Sequence, residues 1–246
     1  MYILSVDTTA KTASAAVSKV SDGEVFPLCD ARLNSTLTHS ESILPMIEFC
    51  LKNASVHLSE IDVLAISAGP GSFTGVRIGI STLKGLAFGS DNVKCVPVSA
   101  LEALCENVSD EAKGTVICAC MDARRNQFYN ALFSANGKGS IKRLCEDRAV
   151  GEDELYAELC EKYSGRKIVL VGDGALLAQR LFSAHDGFEN MKISTVRSDR
   201  LLQDASSVAR CAIRHIDGAV PADKLSPVYL RLSQAERERN ERMTKE

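Results

Sequence analysis

The chain has 246 residues, 45% of them apolar and 25% charged, which supports one to two domains with a sizeable buried core. A net charge of −3 excludes a global basic field for nucleic acid, so any RNA contact must come from a local patch or through a partner. The nine cysteines lack CxxC pairs, the opening MYILSVDTT has no signal-peptide character, and no apolar run approaches ~20 residues. A reduced, cytoplasmic protein without a membrane span is expected.

Tyr2 to Val6 reads as a strand ending at Asp7, followed by a polar turn, Asp7-Thr8-Thr9. Ala13 to Val20 and Glu24 to Leu33 form two more strands around the turn Ser21-Asp22-Gly23. A helix follows over about Ser40 to Ala54. Thr38 and Glu41 match a capping box, Pro45 falls in the first turns, and Ile43, Met46, Ile47, Cys50, Leu51 and Ala54 make an apolar stripe.

The β-type run Asp62 to Ser67 leads into GPGSFTGVRIGISTLKGLA at 69–87. Strand, glycine turn and helix together make an anion site in principle, because bare N–H groups meet a positive helix end. The spacing Gly69-x-Gly71-x3-Gly75 is neither a P-loop nor a GxGxxG fingerprint. Asp7, Thr8, Thr9, Gly69, Gly71, Ser72 and Gly75 are therefore a candidate nucleotide or anion loop; the same residues also suit a turn that only caps itself. Arg77 and Lys84 lie nearly two turns apart on one side of this helix, where they could meet a carboxylate or a phosphate.

After a short strand at Lys94 to Val98, a second α/β unit begins. Strands are expected at Thr115 to Met121, Gln127 to Phe133 and Ile141 to Leu144. A helix over Asp153 to Tyr163 precedes a strand at Lys167 to Val171, the turn Gly172-Asp173-Gly174 and a helix over Ala175 to Phe182. This unit echoes the first in architecture. Cys118 and Cys120 share a strand face as core residues, and Arg124-Arg125 marks either a solvated turn or part of an RNA or partner surface. A late helix over Asp204 to His215 returns to the first unit, Pro227 to Leu230 is extended, and 233–246 is a charged tail. The domain division is 1–104 with a returning helix over about 204–217, and 105–203.

The strand ending in Asp-Thr-Thr, the glycine loop and Val171-Gly172-Asp173-Gly174 resemble the ASKHA fold of acetate and sugar kinases, Hsp70 and actin, an α/β class with two domains of mixed sheets flanked by helices. More specifically, VDTTAKTASAAV (6–17), HSESILPMIEFCL (39–51), the 69–87 segment, VPVSALEAL (96–104) and SPVYLRL (226–232) resemble the TsaB (YeaZ) family of bacterial tRNA threonylcarbamoyladenosine biosynthesis. That resemblance implies a non-catalytic paralogue of TsaD. In TsaD the segment after the glycine-loop helix carries a metal-binding His-x3-His, whose positions fall here on Ala100 and Leu104, with Glu102 between them. A methyl and an isobutyl group offer no lone pair to a metal.

The resemblance further implies pairing with TsaD as a heterodimer, or as a homodimer alone, with TsaE in the complex and a functional link to TsaC. The tRNA would be reached through the complex. No cofactor is implied, with residual ATP or ADP binding at the partner interface left open. Pairing would use the two helices of the first domain, with Ile43, Ile47, Leu51, Val76, Arg77, Leu83 and Leu86 at the contact and Gly75 and Gly79 permitting close approach. The same side chains could instead pack beneath their own domain. An ATP-dependent small-molecule kinase or acyltransferase of this fold is the first alternative. A peptidase is a weaker one, since neither HxxxH nor a nucleophile elbow is present.

Overall fold

Strands β1 (Tyr2–Asp7) and β4 (Val63–Gly69) are the parallel centre of a first sheet in the computed structural model, which describes residues 1–35, 37–90 and 93–231. Both are buried along almost their whole length, so their sequences are nearly continuous apolar runs with no polar face to alternate with. Antiparallel β2 (Ala13–Ser21) and β3 (Glu24–Leu33) extend the sheet on one side and parallel β5 (Lys94–Ser99) on the other, giving the order β3-β2-β1-β4-β5. Asp22 and Gly23 both take positive φ, 53° and 79°, the turn geometry that matches the twist of a tight hairpin.

Helices α1 (His39–Ala54) and α2 (Phe73–Ala87) cover one face of this sheet. Ile43, Ile47, Val76 and Leu83 meet Leu4, Val6, Leu64 and Ile66 there. At the start of α1 the Glu41 carboxylate accepts the Thr38 N–H at 2.9 Å. Pro45 lies inside α1, past its first turn and on the exposed side, and the helix continues through it.

Helix α3 (Ala100–Glu106) then leads to the second sheet: β6 (Val116–Asp122), β7 (Gln127–Ala135), β8 (Ile141–Arg143), β9 (Arg148–Gly151), β10 (Lys167–Val171) and β11 (Lys192–Thr195). The order is β11-β10-β6-β7-β8, with β9 also on β7. An antiparallel meander followed by two parallel strands is the plan of both sheets, so the expected echo between the two units is real at the level of topology. Helices α4 (Glu152–Tyr163) and α5 (Ala175–Phe182) pack on the outer face of the second sheet through Leu155, Leu159, Ala178 and Phe182. Residues along β6 alternate in the expected way. Val116, Cys118 and Cys120 face these helices, and Ile117, Ala119 and Met121 face inward.

Helix α6 (Ala205–Arg214) returns to the first sheet and covers its second face, placing Val208, Ala209 and Ala212 against Ile3, Val63, Ala65 and Val96. Between the sheets lies α3, with Leu101 and Leu104 against Ile117, Phe133 and Val169. Sequence pattern did not reveal α3, β9 or β11, although it marked the three-residue β8. The charged tail at 233–246 lies outside the described residues. Among the described residues no helix is long and apolar enough to cross a membrane.

Candidate functional site

The glycine loop has the expected position, after β4 and opening α2, and several of its polar groups have protein partners. The Ser72 N–H donates to the Thr9 carbonyl at 2.6 Å, and the Ser72 hydroxyl caps α2 by accepting the Gly75 N–H at 3.2 Å. Thr8 donates its hydroxyl to the Gly75 carbonyl at 2.8 Å. Thr9 donates both its N–H and its hydroxyl to Asp7, at 2.8 and 2.7 Å, and Ser67 donates to the other carboxylate oxygen. Asp7 is fully buried; that burial pushes its carboxyl above the ordinary range despite these hydrogen bonds. It is absent from the cleft lining and fixes the turn between β1 and β2. The strand, glycine turn and helix of the predicted anion loop are built, with the Ser72 N–H and the Thr8 and Thr9 hydroxyls taken up by protein acceptors and Pro70 to Phe73 lining the cleft.

A segment outside the loop lies across it. Val228 donates its N–H to the Ala68 carbonyl at 2.8 Å and crosses over Gly69, whose φ of 125° and missing side chain make room for it. Tyr229 stacks on Phe73 with ring centroids 4.1 Å apart, and Arg77 lies over the Phe73 ring while donating to the Tyr229 hydroxyl at 2.8 Å. Lys84 donates to the Asp223 carbonyl at 3.2 Å. Arg77 and Lys84, which the sequence leaves open to a partner carboxylate, a phosphate or an intramolecular role, hold the chain's own residues 223–229 along α2. Arg231 reaches on to the second sheet, donating to the Ala123 carbonyl at 2.7 Å. The sequence marks Pro227 to Leu230 as extended, without showing what it crosses.

Between the two sheets opens a cleft of about 570 Å3, lined by Thr9, Lys11, His39 and the glycine loop on one side and by Asp122, Arg124 and Asp173 on the other. Burial, reinforced by the Asp122 charge, pushes the Asp173 carboxyl up to about 6, although one side of it opens to solvent. The sequence singled out the turn containing Asp173 but not its pairing with Asp122, which topology creates by bringing the ends of β6 and β10 together. His39 contacts the Ala10 carbonyl at 2.7 Å through Nε2, and exposed Ser40 pairs with Thr38, so these residues form no hydrolytic constellation.

On α3, Ala100 and Leu104 are buried in the apolar layer facing the second sheet. Glu102 points elsewhere, toward Arg143 at 3.1 Å, Arg214 at 3.2 Å and His215 at 2.9 Å. Burial alone would raise its carboxyl, but His215, Arg143 and Arg214 together hold it below the usual range. Arg143 also binds Asp147 at 2.6 Å, tying the second sheet to α3 and α6 on the side away from α4 and α5.

The expected contact residues need correction. Ile43, Ile47, Val76 and Leu83 are at most 1% exposed and belong to the core beneath α1 and α2. Gly75 and Gly79 admit the chain's own Thr8, not a partner, since a Cβ at either would strike it. Leu51 and Leu86 are half-buried at the margin of that core. The large apolar side chains that α1 exposes are Leu44 and Phe49, 45% and 53% exposed; on α2, Ile78 is half-buried and Gly85 has open space beside it. Periodicity located the buried stripe; the two apolar side chains set among polar neighbours on the rest of α1, Leu44 and Phe49, follow no period of their own.

Residues 34–173 match the family model for TsaD, tRNA N6-adenosine threonylcarbamoyltransferase. The chain is 35% identical over 177 residues to the tRNA threonylcarbamoyladenosine biosynthesis protein TsaB of Escherichia coli strain K12, covering 71% of this chain and 72% of that protein. The TsaB of Bacillus subtilis strain 168 is 24% identical and aligns over 96% of both chains. Among solved structures, YeaZ from Pseudomonas aeruginosa superposes with a TM-score of 0.75 at 23% identity, covering 93% of this chain and 99% of that one.

Proposed function

The chain belongs to the TsaB family of tRNA threonylcarbamoyladenosine biosynthesis proteins, and from that membership we propose that it works without turnover of its own, as the scaffold and activator of a TsaD-type threonylcarbamoyltransferase. The observation that carries this reading is the state of α3. The positions corresponding to the metal-binding histidines of TsaD hold Ala100 and Leu104, and both are packed into the layer between the sheets with Ile117 and Phe133. Restoring a metal there would require replacing core side chains, since neither Ala100 nor Leu104 offers a lone pair. The hydrogen bonding around the glycine loop supports the same reading, since the Ser72 N–H and the Thr8 and Thr9 hydroxyls are occupied by protein acceptors.

In this proposal the chain pairs with a TsaD-type subunit through the outward face of α1 and α2, centred on Leu44, Phe49 and Ile78, and forms a homodimer through that face when alone. A TsaE-type ATPase joins the pair, a TsaC-type enzyme supplies the threonylcarbamoyl adenylate, and tRNA is reached through the assembly in the cytoplasm. The chain requires no cofactor, and any ATP or ADP would bind at the partner interface. The test is reconstitution of tRNA threonylcarbamoylation from purified TsaC-, TsaD- and TsaE-type proteins with and without this chain. Product should form only with it, and the chain alone should neither hydrolyse ATP nor transfer the group. Equal product without it removes the proposal.

One observation favours a second reading, an ATP-dependent kinase or acyltransferase: Asp173, raised to about 6, sits beside Asp122 in the cleft as a general base would. ATP hydrolysis by the purified chain that disappears in Asp173→Asn would put that reading first.

A further inference from the structure

The loop joining β6 to β7 contains three successive non-glycine residues in the left-handed region: Arg124, Arg125 and Asn126, with φ of 67°, 58° and 54°. Side chains with a Cβ avoid this region, and a run of three is held only where the surroundings over-determine it. Here they do. Asp122 accepts the Arg124 N–H at 2.7 Å, Ala123 donates to Gln127 at 3.0 Å, and Gln127 donates to Arg124 at 3.2 Å. From outside the loop, Glu152 donates its N–H to the Asn126 carbonyl at 3.0 Å, and Arg231 binds the Ala123 carbonyl.

The loop so fixed presents two adjacent exposed arginines. Arg124 reaches Asp122 at only 3.3 Å with its side chain 86% exposed, and among the described residues no carboxylate lies within ion-pair distance of Arg125. Exposed Lys11, on the β1–β2 loop, lines the same cleft as Arg124 and likewise has no ion-pair partner among the described residues.

We propose that Arg124 and Arg125, with Lys11 from the neighbouring loop, are a contact surface for the phosphodiester backbone of the tRNA substrate, an assignment that rests on the role in tRNA modification proposed above. Guanidinium groups match phosphate with paired N–H donors and are weakly hydrated, so two on a rigid loop form a phosphate contact at little entropic cost. With a net charge of −3 the chain has no global attraction for RNA, so the patch acts locally and within the assembled complex. An acidic protein surface is the competing occupant, and the experiment separates the two.

The variant is Arg124→Asn/Arg125→Asn, because asparagine tolerates the left-handed backbone and keeps the loop's shape. A second variant, Arg124→Lys/Arg125→Lys, restores the charge. Each is assembled with the TsaD-type partner, and association is checked by calorimetry. Binding of an unmodified, fluorescently labelled tRNA transcript is then followed by anisotropy from low to moderate salt. The asparagine variant should bind tRNA about tenfold more weakly, with the slope of log affinity against log salt shallower by about 2. The lysine variant should recover the slope, with partner affinity unchanged in both. Unchanged tRNA affinity and slope in an intact complex would overturn the assignment, as would loss of partner binding in place of tRNA binding, which would mark the loop as a protein contact. If tRNA is modified equally well without the wild-type chain, the underlying role fails, and this assignment with it.

Discussion

Asp173 carries the clearest pH signature in the cleft. Its carboxyl has a folded-state pKa near 6 against an ordinary value of 3.8, so the folded protein holds a proton there that the unfolded chain has released. The stability this contributes is full below about pH 4 and is lost as the pH rises toward 6; above that, the folded state carries an unfavourable charge. Asp173→Asn should therefore raise the Tm at pH 7.5 by about 2–3 °C. That corresponds to roughly 1 kcal/mol once the shift is discounted for the solvent that screens one side of the carboxylate. At pH 4 the gain should vanish, and thermal denaturation at the two pH values checks it. An equal gain at both would mean that the carboxylate's charge has no part in the effect. Asp173 was visible in the sequence as part of a Gly-Asp-Gly turn, but its charge state was not, because Asp122 lies 51 positions earlier in the chain and meets it only through the pairing of β6 with β10.

Helices α1 and α2 show what a helical period can and cannot reveal. The stripe of Ile43, Met46, Ile47 and Cys50 is the core stripe of an amphipathic helix, and it is buried. Leu44 and Phe49 interrupt the polar side, and it is these interruptions that mark a face with something to bind. Two substitutions separate the roles. Leu83→Ala should destabilise the fold by about 2–5 kcal/mol, since it leaves a cavity between α2 and the sheet. Phe49→Glu should change stability by less than about 0.5 kcal/mol yet weaken association with the TsaD-type partner at least tenfold. Denaturant melts and calorimetry read both. A Phe49→Glu protein that binds as tightly as wild type would remove this face from the interface. Strand and helix positions were otherwise legible wherever an element was long enough to show a period. Four-residue strands such as β9 and β11 were not, since their pairing depends on neighbours distant in sequence.

At the scale of the whole molecule, the links between the two sheets include α3 packed between them, the Arg143 network with Glu102 and Asp147, and the strap across the cleft. The strap is the least buried of these, so it should be the first to open. Tyr229→Ala removes the stack on Phe73 and the acceptor of Arg77, and should cost about 1–2 kcal/mol. In hydrogen exchange, amides over residues 69–76 should lose protection while β6 and β10 of the second sheet keep theirs. Equal loss across both sheets would mean that the strap supports the whole fold rather than guarding the glycine loop. The two-sheet plan was legible in the sequence from its glycine turns and repeated strand–turn–helix pattern. The strap over the loop was not, because nothing local in Asp-Thr-Thr or Gly-Pro-Gly shows that residues 228–231 lie across it.

The return of α6 has a consequence for how the protein is made. The first sheet begins at Tyr2, but the helix that covers its second face, packing on Ile3, Val63 and Val96, is encoded at residues 205–214. On the ribosome, that apolar face stays open until residues 205–214 have emerged, whereas strands β6 to β11 with α4 and α5 are available as a unit sooner. The segment translated in the middle can thus consolidate before the one translated first. Until α6 arrives, the nascent N-terminal half carries an uncovered sheet, which is the stretch of synthesis during which it most needs a chaperone.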